Sequence, residues 1–423
     1  MYPHNSPVMR LGGPIVEIRR FRCLAVVIVL AFVAGCGSRA PESGNGNSQA
    51  NSNASTARGA VAHVDTTATI PYDLVAVDFV SVASGWMVGN DPDNNVSVIL
   101  RSVNGGATWV AVLEIVGDSL LDVDFVDEEI GYAVGAEGVV YATKDGGQTW
   151  SEDPVGTKWA SQRSVEPVIF QPKSGDTSGP PMLISESIAS MYFIDARTGW
   201  AGGDVPSGEG VNIRGILLAT TDGGRTWTES KTPDSGPVIP AAINDLQFVS
   251  PTHGWAATGS LENGEEDALF HTTDGGRTWA RQPATGGQFL RAVHFVSATR
   301  GFAVGLTIDA VTDLPGPSKL LETSDGGASW KIALVAERSF FDITFVDANR
   351  GWAVGDRAAV YATTDGGATW KQQTKFLTTG VANLKRPPKR PGAPTPRAFR
   401  TLLARSPSEV WAAGEGQILR RRT

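Results

Sequence analysis

One eight-residue motif recurs along this chain and limits what it can fold into: a hydroxyl side chain, any residue, Asp-Gly-Gly, any residue, Thr or Ser, and Trp. It appears six times, as SVNGGATW (Ser102 to Trp109), TKDGGQTW (Thr143 to Trp150), TTDGGRTW (Thr220 to Trp227), TTDGGRTW (Thr272 to Trp279), TSDGGASW (Thr323 to Trp330) and TTDGGATW (Thr363 to Trp370). The paired glycines admit positive φ, and the carboxylate can accept the backbone N–H groups of its own turn, so each copy reads as a tight link between two antiparallel strands. Self-similarity at this spacing means small sheets arrayed in a ring or a solenoid. The acceptor position is held by Asn104, Asp145, Asp222, Asp274, Asp325 and Asp365. Six equivalent copies point to turn staples rather than to catalysts, because a reacting group is needed once.

A second motif precedes each box: an apolar strand ending in Phe-Val or Phe-Ile, then a strand of the type Gly-aromatic-Ala-Val-Gly. Its copies are DFVSVASGWMVG, DFVDEEIGYAVG, YFIDARTGWAGG, QFVSPTHGWAATG, HFVSATRGFAVG and TFVDANRGWAVG, with a degenerate seventh, LLARSPSEVWAAG, near the C-terminus. The first of these strands alternates with period two. One face is apolar; the other carries Asp78, Asp122, Asp124, Asp245, His294 and Asp342. A strand with one dry and one wet face, repeated around a ring, fits the innermost strand of a propeller blade, with its polar side on the central channel. The reading is all-β: a seven-bladed β-propeller with Asp-box turns. The seventh unit lacks an outer strand, and residues 61 to 70 supply a spare one, so an N-terminal strand is expected to complete the last blade and close the ring.

The N-terminal segment is no part of that fold. Arg10, Arg19, Arg20 and Arg22 precede an apolar run of eleven residues, Cys23 to Val33, too short to span a bilayer and matching a signal peptide. It ends in Val33-Ala34-Gly35-Cys36, which resembles a bacterial lipobox. Residues 1–35 therefore read as a lipoprotein signal, Cys36 as the lipidated residue, and residues 36–60, rich in Gly, Ser and Asn, as a flexible tether to a propeller over 61–423. The expected location is exported and lipid-anchored, at the outer membrane or the periplasmic face of the inner one. With both cysteines spent in this way, no thiol chemistry is expected.

Insertions are expected at about 151–187, 203–213 and 371–398, where a regular scaffold would place recognition loops. The last contains Lys385, Arg386, Lys389 and Arg390 in a proline-rich stretch. It lies in a basic C-terminal region within a chain of net charge −8. Such a stretch suits an acidic protein surface or anionic lipid headgroups. Export and an acidic body argue against nucleic acid. Five histidines without ligand spacing give no metal site and no cofactor.

The paired FV…GWAVG and TTDGG.TW motifs resemble those of the photosystem II stability/assembly factor family, whose members are seven-bladed Asp-box propellers. The resemblance covers about residues 65 to 421. It implies a non-catalytic, lipid-anchored scaffold or assembly factor that binds protein, in particular a membrane protein, and acts as a monomer. A basic patch is implied as well, its counterparts here being Arg197, Arg300, Arg350 and Arg291. The competing reading is a glycan-binding or glycan-hydrolysing surface propeller, since Asp122, Asp124, Asp245 and Asp342 could converge on the channel as acid and base.

Overall fold

A computed structural model describes residues 63–64, 72–91, 94–152, 168–170, 182–184, 186–206, 213–230, 239, 241–259, 268–283, 288–308, 315–373, 398–406, 409–414 and 417–422. Among these there are seven antiparallel sheets, a separate hairpin of Val168–Phe170 with Met182–Ile184, and one short 3-10 turn, Asp356–Ala358. Each sheet begins with an inner strand: Asp73–Phe79, Leu120–Phe125, Ser187–Phe193, Ala242–Phe248, Phe289–Phe295, Phe340–Phe345 and Phe399–Ser406, numbered here as blades 1 to 7. Each inner strand packs against the next, and that of blade 7 packs against that of blade 1, so the sheets form a closed propeller.

Ring closure differs from the expectation in one respect. The strand His63–Val64 does not join blade 7; it pairs antiparallel with Trp109–Val116, the outer strand of blade 1. That strand is eight residues long, against two in blades 2, 3, 4 and 6, and so offers a free edge for pairing. Blade 7 has three strands among the described residues. The ring is held by side chains instead: Phe79 stacks on Trp411 of blade 7 at 5.3 Å between centroids and meets Trp109 edge-on at 5.7 Å.

The same aromatic arrangement repeats between blades. At every interface but that between blades 6 and 7, the aromatic of the Gly-aromatic strand or its equivalent stacks on the Phe that ends the next inner strand, and the Trp of that blade's Asp box closes the edge. Trp86, Phe125 and Trp150 show it, as do Trp200, Phe248 and Trp279, with stacking distances of 3.4 Å. The glycine before each aromatic is required because the Phe ring lies where its side chain would be; a Cβ on Gly131 would sit 2.5 Å from Phe125. The aromatic N–H or O–H then reaches across the interface. Trp86, Tyr132, Trp200 and Trp255 donate to the carbonyls of Gly146, Gly223, Gly275 and Gly326 in the following Asp box. In blade 5 Phe302 cannot donate, and the Arg300 guanidinium bonds the Gly366 carbonyl instead.

The boxes themselves are closed hydrogen-bond rings. Thr143 Oγ1 donates to Asp145 Oδ1 and accepts from the Gly147 N–H, while Asp145 accepts from the Thr149 N–H and hydroxyl. In the first box Asn104 keeps the same acceptor oxygen, but its amide N–H₂ donates to Thr108 Oγ1. Of the expected insertions, residues 203–206 and 213 prove to be strand: Gly199–Pro206 and Ile213–Thr220 pair out to Pro206 opposite Ile213. Cys36, the tether, and Lys385, Arg386, Lys389 and Arg390 lie outside the described residues.

Candidate functional site

The central channel is where the fold brings chemistry together. All seven inner strands slip register at one place. Leu74 pairs with Gly89 and Ala76 with Val88, leaving Val75 unmatched, and the same bulge leaves Leu121, Ala189, Asn244, Arg291, Phe341 and Arg400 unmatched in blades 2 to 7. A bulge frees backbone groups from the ladder and re-aims a side chain. Both consequences are visible here.

The first is a set of ties between blades. The residue after the bulge takes a backbone N–H of the neighbouring inner strand: Asp122 Oδ2 from Met191, Ser190 Oγ from Leu246, Asp245 Oδ2 from Val293, and Asp342 Oδ2 from Leu402, at 2.6–3.3 Å. A second tier lies two residues further along. There Asp78 accepts from Phe125, Asp124 from Phe193, Gln247 from Phe295 and His294 Nε2 from Phe345. The carboxylates foreseen on the channel are thus brought together as two rungs, each with its Oδ2 engaged by a neighbouring blade, while Asp78, Asp122 and Asp342 take a backbone N–H of their own strand on Oδ1. Their charge is costly in so enclosed a place. Burial pushes Asp78 and Asp245 up to about 6 and Asp122 to about 7, and raises Asp124 and Asp342 well above the usual carboxylate range; the backbone N–H bonds pull the other way. Burial lowers His294 to about 4, so Nε2 keeps the lone pair that accepts the Phe345 N–H.

The second consequence is a cavity of about 170 Å³ at the bulged end of the channel, lined by all seven unmatched residues and by those that follow them. Sequence reasoning placed Arg291 in a basic surface patch, but here it lines this cavity with Arg400, Asn244 and Phe341, which that reasoning passed over. The signal existed: all seven occupy the position four residues before the Phe or its equivalent, a row that alignment of the repeats exposes. Arg197, Arg300 and Arg350 lie elsewhere, in the turns that follow the inner strands, beyond the opposite end of the channel. Arg350 pairs with Asp347 at 3.0 Å, and Arg300 reaches Glu322 at 3.3 Å as well as the Gly366 carbonyl. Arg197 is exposed. The four arginines therefore do not form one patch. Among the described residues no group of three or more His, Cys, Asp or Glu side chains is arranged to hold a metal ion.

Comparison with known proteins agrees with this architecture. The family model described as "Photosynthesis system II assembly factor YCF48" matches residues 108–190 and 331–385. The Photosystem II assembly lipoprotein Ycf48 of Synechococcus sp. (strain CC9902) is 24% identical over 269 residues, covering 59% of this chain and 74% of that protein. Among solved structures, "YCF48 bound to D1 peptide" aligns with a TM-score of 0.53 at 19% identity, over 86% of this chain and 96% of that one. An ancestral GH74 enzyme aligns with a TM-score of 0.58 at 13% identity, over 85% of this chain and 46% of that one. At such identities the structural matches speak for the fold. The resemblance to a photosystem II assembly factor-like family stands on the sequence matches as well.

Proposed function

We propose that this relative of the photosystem II assembly factors is a non-catalytic, exported and lipid-anchored scaffold that binds a protein partner. The observation that carries the reading is the fate of the channel carboxylates. Asp78, Asp122, Asp124, Asp245 and Asp342 all hold a backbone N–H of the next blade, the work of a structural acceptor. A glycosidase needs two carboxyl groups free to face one bond, one as acid and one as nucleophile or base. Recognition is then left to the turns and loops, where Arg300 and Arg350 occupy matching places in blades 5 and 6 and Arg197 lies one position earlier in the turn of blade 3, and to the basic run Lys385, Arg386, Lys389 and Arg390.

Two features support the partner class. The similar solved protein was captured with a D1 peptide, and its relative from Synechococcus is named an assembly lipoprotein. The anchor would be Cys36, holding the propeller on a tether at a bacterial membrane, as a monomer with a membrane protein as client. The test is affinity capture of the full lipidated chain from detergent-solubilised membranes. A specific membrane protein should be retained, and lost when Arg197 and Arg350 are both changed to Glu. Turnover of aryl-glycosides that disappears in Asp245→Asn or Asp342→Asn would overturn the reading in favour of a hydrolase.

A further inference from the structure

The bulged end of the channel is chemically lopsided in a way the inter-blade ties do not explain. In blades 1 to 3 the re-aimed residues are Val75, Leu121 and Ala189; in blades 4 to 7 they are Asn244, Arg291, Phe341 and Arg400. In a seven-membered ring blade 6 lies across from blades 2 and 3, so the arc Arg291–Phe341–Arg400 faces Leu121 and Ala189 over the cavity. Arg400 stacks on Phe341, with its guanidinium carbon 4.7 Å from the ring centroid, which holds the cation in place at the wall.

We propose that this cavity is a binding site for a carboxylate carrying a short apolar body, its oxygens held between Arg291 and Arg400 and its apolar part against Leu121, Ala189 and Val75. The guanidinium pair supplies planar, permanently charged donors suited to a carboxylate. Burial, and to a lesser extent nearby Arg400, presses the Arg291 guanidinium down to about 10, and a bridging anion would favour its charged form. Three carboxylates share the lining, Asp122, Asp245 and Asp342, and each is already engaged by a backbone N–H of a neighbouring blade, Asp245 also by Ser190 Oγ at 3.3 Å. At about 170 Å³ the space falls below the roughly 300–1,000 Å³ of drug-sized sites, which selects small ligands over oligosaccharides. The carboxylate could belong to a free acid or to the last residue of a polypeptide. The site is distinct from the turn surface given above to the partner, so either reading can fail without the other.

Calorimetric titration of the purified full chain tests it, with isobutyrate and isovalerate, their amides, and one short Val-terminated peptide as free acid and as amide. Saturable binding of the acids with no binding of the amides is expected, weakened at least tenfold by Arg291→Gln and by Arg400→Gln. Binding by the peptide acid alone assigns the carboxylate to a chain terminus; binding by the free acids assigns it to a small metabolite. If either arginine variant fails to fold, Ala189→Leu keeps both charges and should block isovalerate while sparing acetate. Amides that bind as well as acids, binding indifferent to the arginine and Ala189→Leu changes, or titrations in which no acid binds at all, would overturn the proposal.

Discussion

At the scale of single residues, the Asp boxes show how much one side chain can hold. Asp222 accepts from the Thr226 N–H at 2.9 Å, the Thr226 hydroxyl at 2.7 Å and the Thr220 hydroxyl at 2.9 Å. Asp222→Ala removes all three and leaves the turn's donors to water, so a loss of about 1–3 kcal/mol is expected, read as a lower urea midpoint at constant slope. Asp222→Asn should lose much less, because Asn104 already fills the place with the amide turned to donate to Thr108. An Asn variant as damaged as the Ala one would contradict this account. These turns were legible in the sequence because the motif is local: donor, acceptor and glycines lie within eight residues. The channel carboxylates were legible only in part. Period-two alternation placed Asp78, Asp122, Asp124, Asp245 and Asp342 on the wet face, but their partners are backbone groups 47 to 69 residues away. No pattern along the chain announces which N–H a bulge will release.

At the scale of blades, the interfaces form a series with two defective members, each instructive. Six interfaces carry the aromatic sandwich, the five that run from blade 1 to blade 6 and the one between blades 7 and 1, and four of these add a donor on the Gly-aromatic strand bonded to the next Asp box. In the fifth, between blades 5 and 6, Phe302 has lost the donor and Arg300 restores it. The interface between blades 6 and 7 has no Asp box to meet, and the Phe at the end of the inner strand is replaced by Ala404. Trp352 is buried there without a hydrogen-bond partner for its Nε1 among the described residues. Trp255→Phe, which strips the bond to Gly326 at 3.0 Å, should therefore cost about 1–3 kcal/mol, whereas Trp352→Phe should cost less than about 1 kcal/mol. Equal costs in chemical denaturation would show that packing alone sets these interfaces. The sandwiches could be anticipated from the GW and FV pairs; the closing strand could not. Residues 61 to 70 looked like the missing edge of blade 7 because counting strands rewards that solution. The geometry favours blade 1, whose long outer edge accepts His63–Val64, while Trp411 against Phe79 performs the closure.

At the scale of the whole molecule, the channel makes the propeller respond to pH in an unusual direction. Asp78, Asp122 and Asp245 in the channel, and Asp204 on the strand Gly199–Pro206, where it accepts from the Ser187 hydroxyl, have folded values of about 6 to 7, above the value near 3.8 they take when unfolded, and Asp124 and Asp342 are raised too. Between those limits the folded chain binds more protons than the unfolded one, so stability falls as pH rises through 6 to 7 and grows as pH drops. Two histidines oppose this: His294, lowered to about 4, and His271, also lowered by burial, resist the proton that the unfolded chain takes up near 6.5, but they are two groups against six. The box acids work in the other sense. Asp325 and Asp365 are lowered to about 2 by their hydrogen bonds, and their contribution is present above 3.8 and lost as pH falls toward 2. The thermal midpoint is therefore expected to climb from pH 8 to about pH 5 and to drop again below about pH 4. Asp122→Asn, neutral at every pH, should flatten the climb and leave the acid limb unchanged. A midpoint that falls steadily from pH 8 to pH 5 would mean that the channel carboxylates keep their charge at little cost, with solvent reaching them along the axis. The ties between blades would then be salt-sensitive surface contacts rather than the buried joints that hold this ring together.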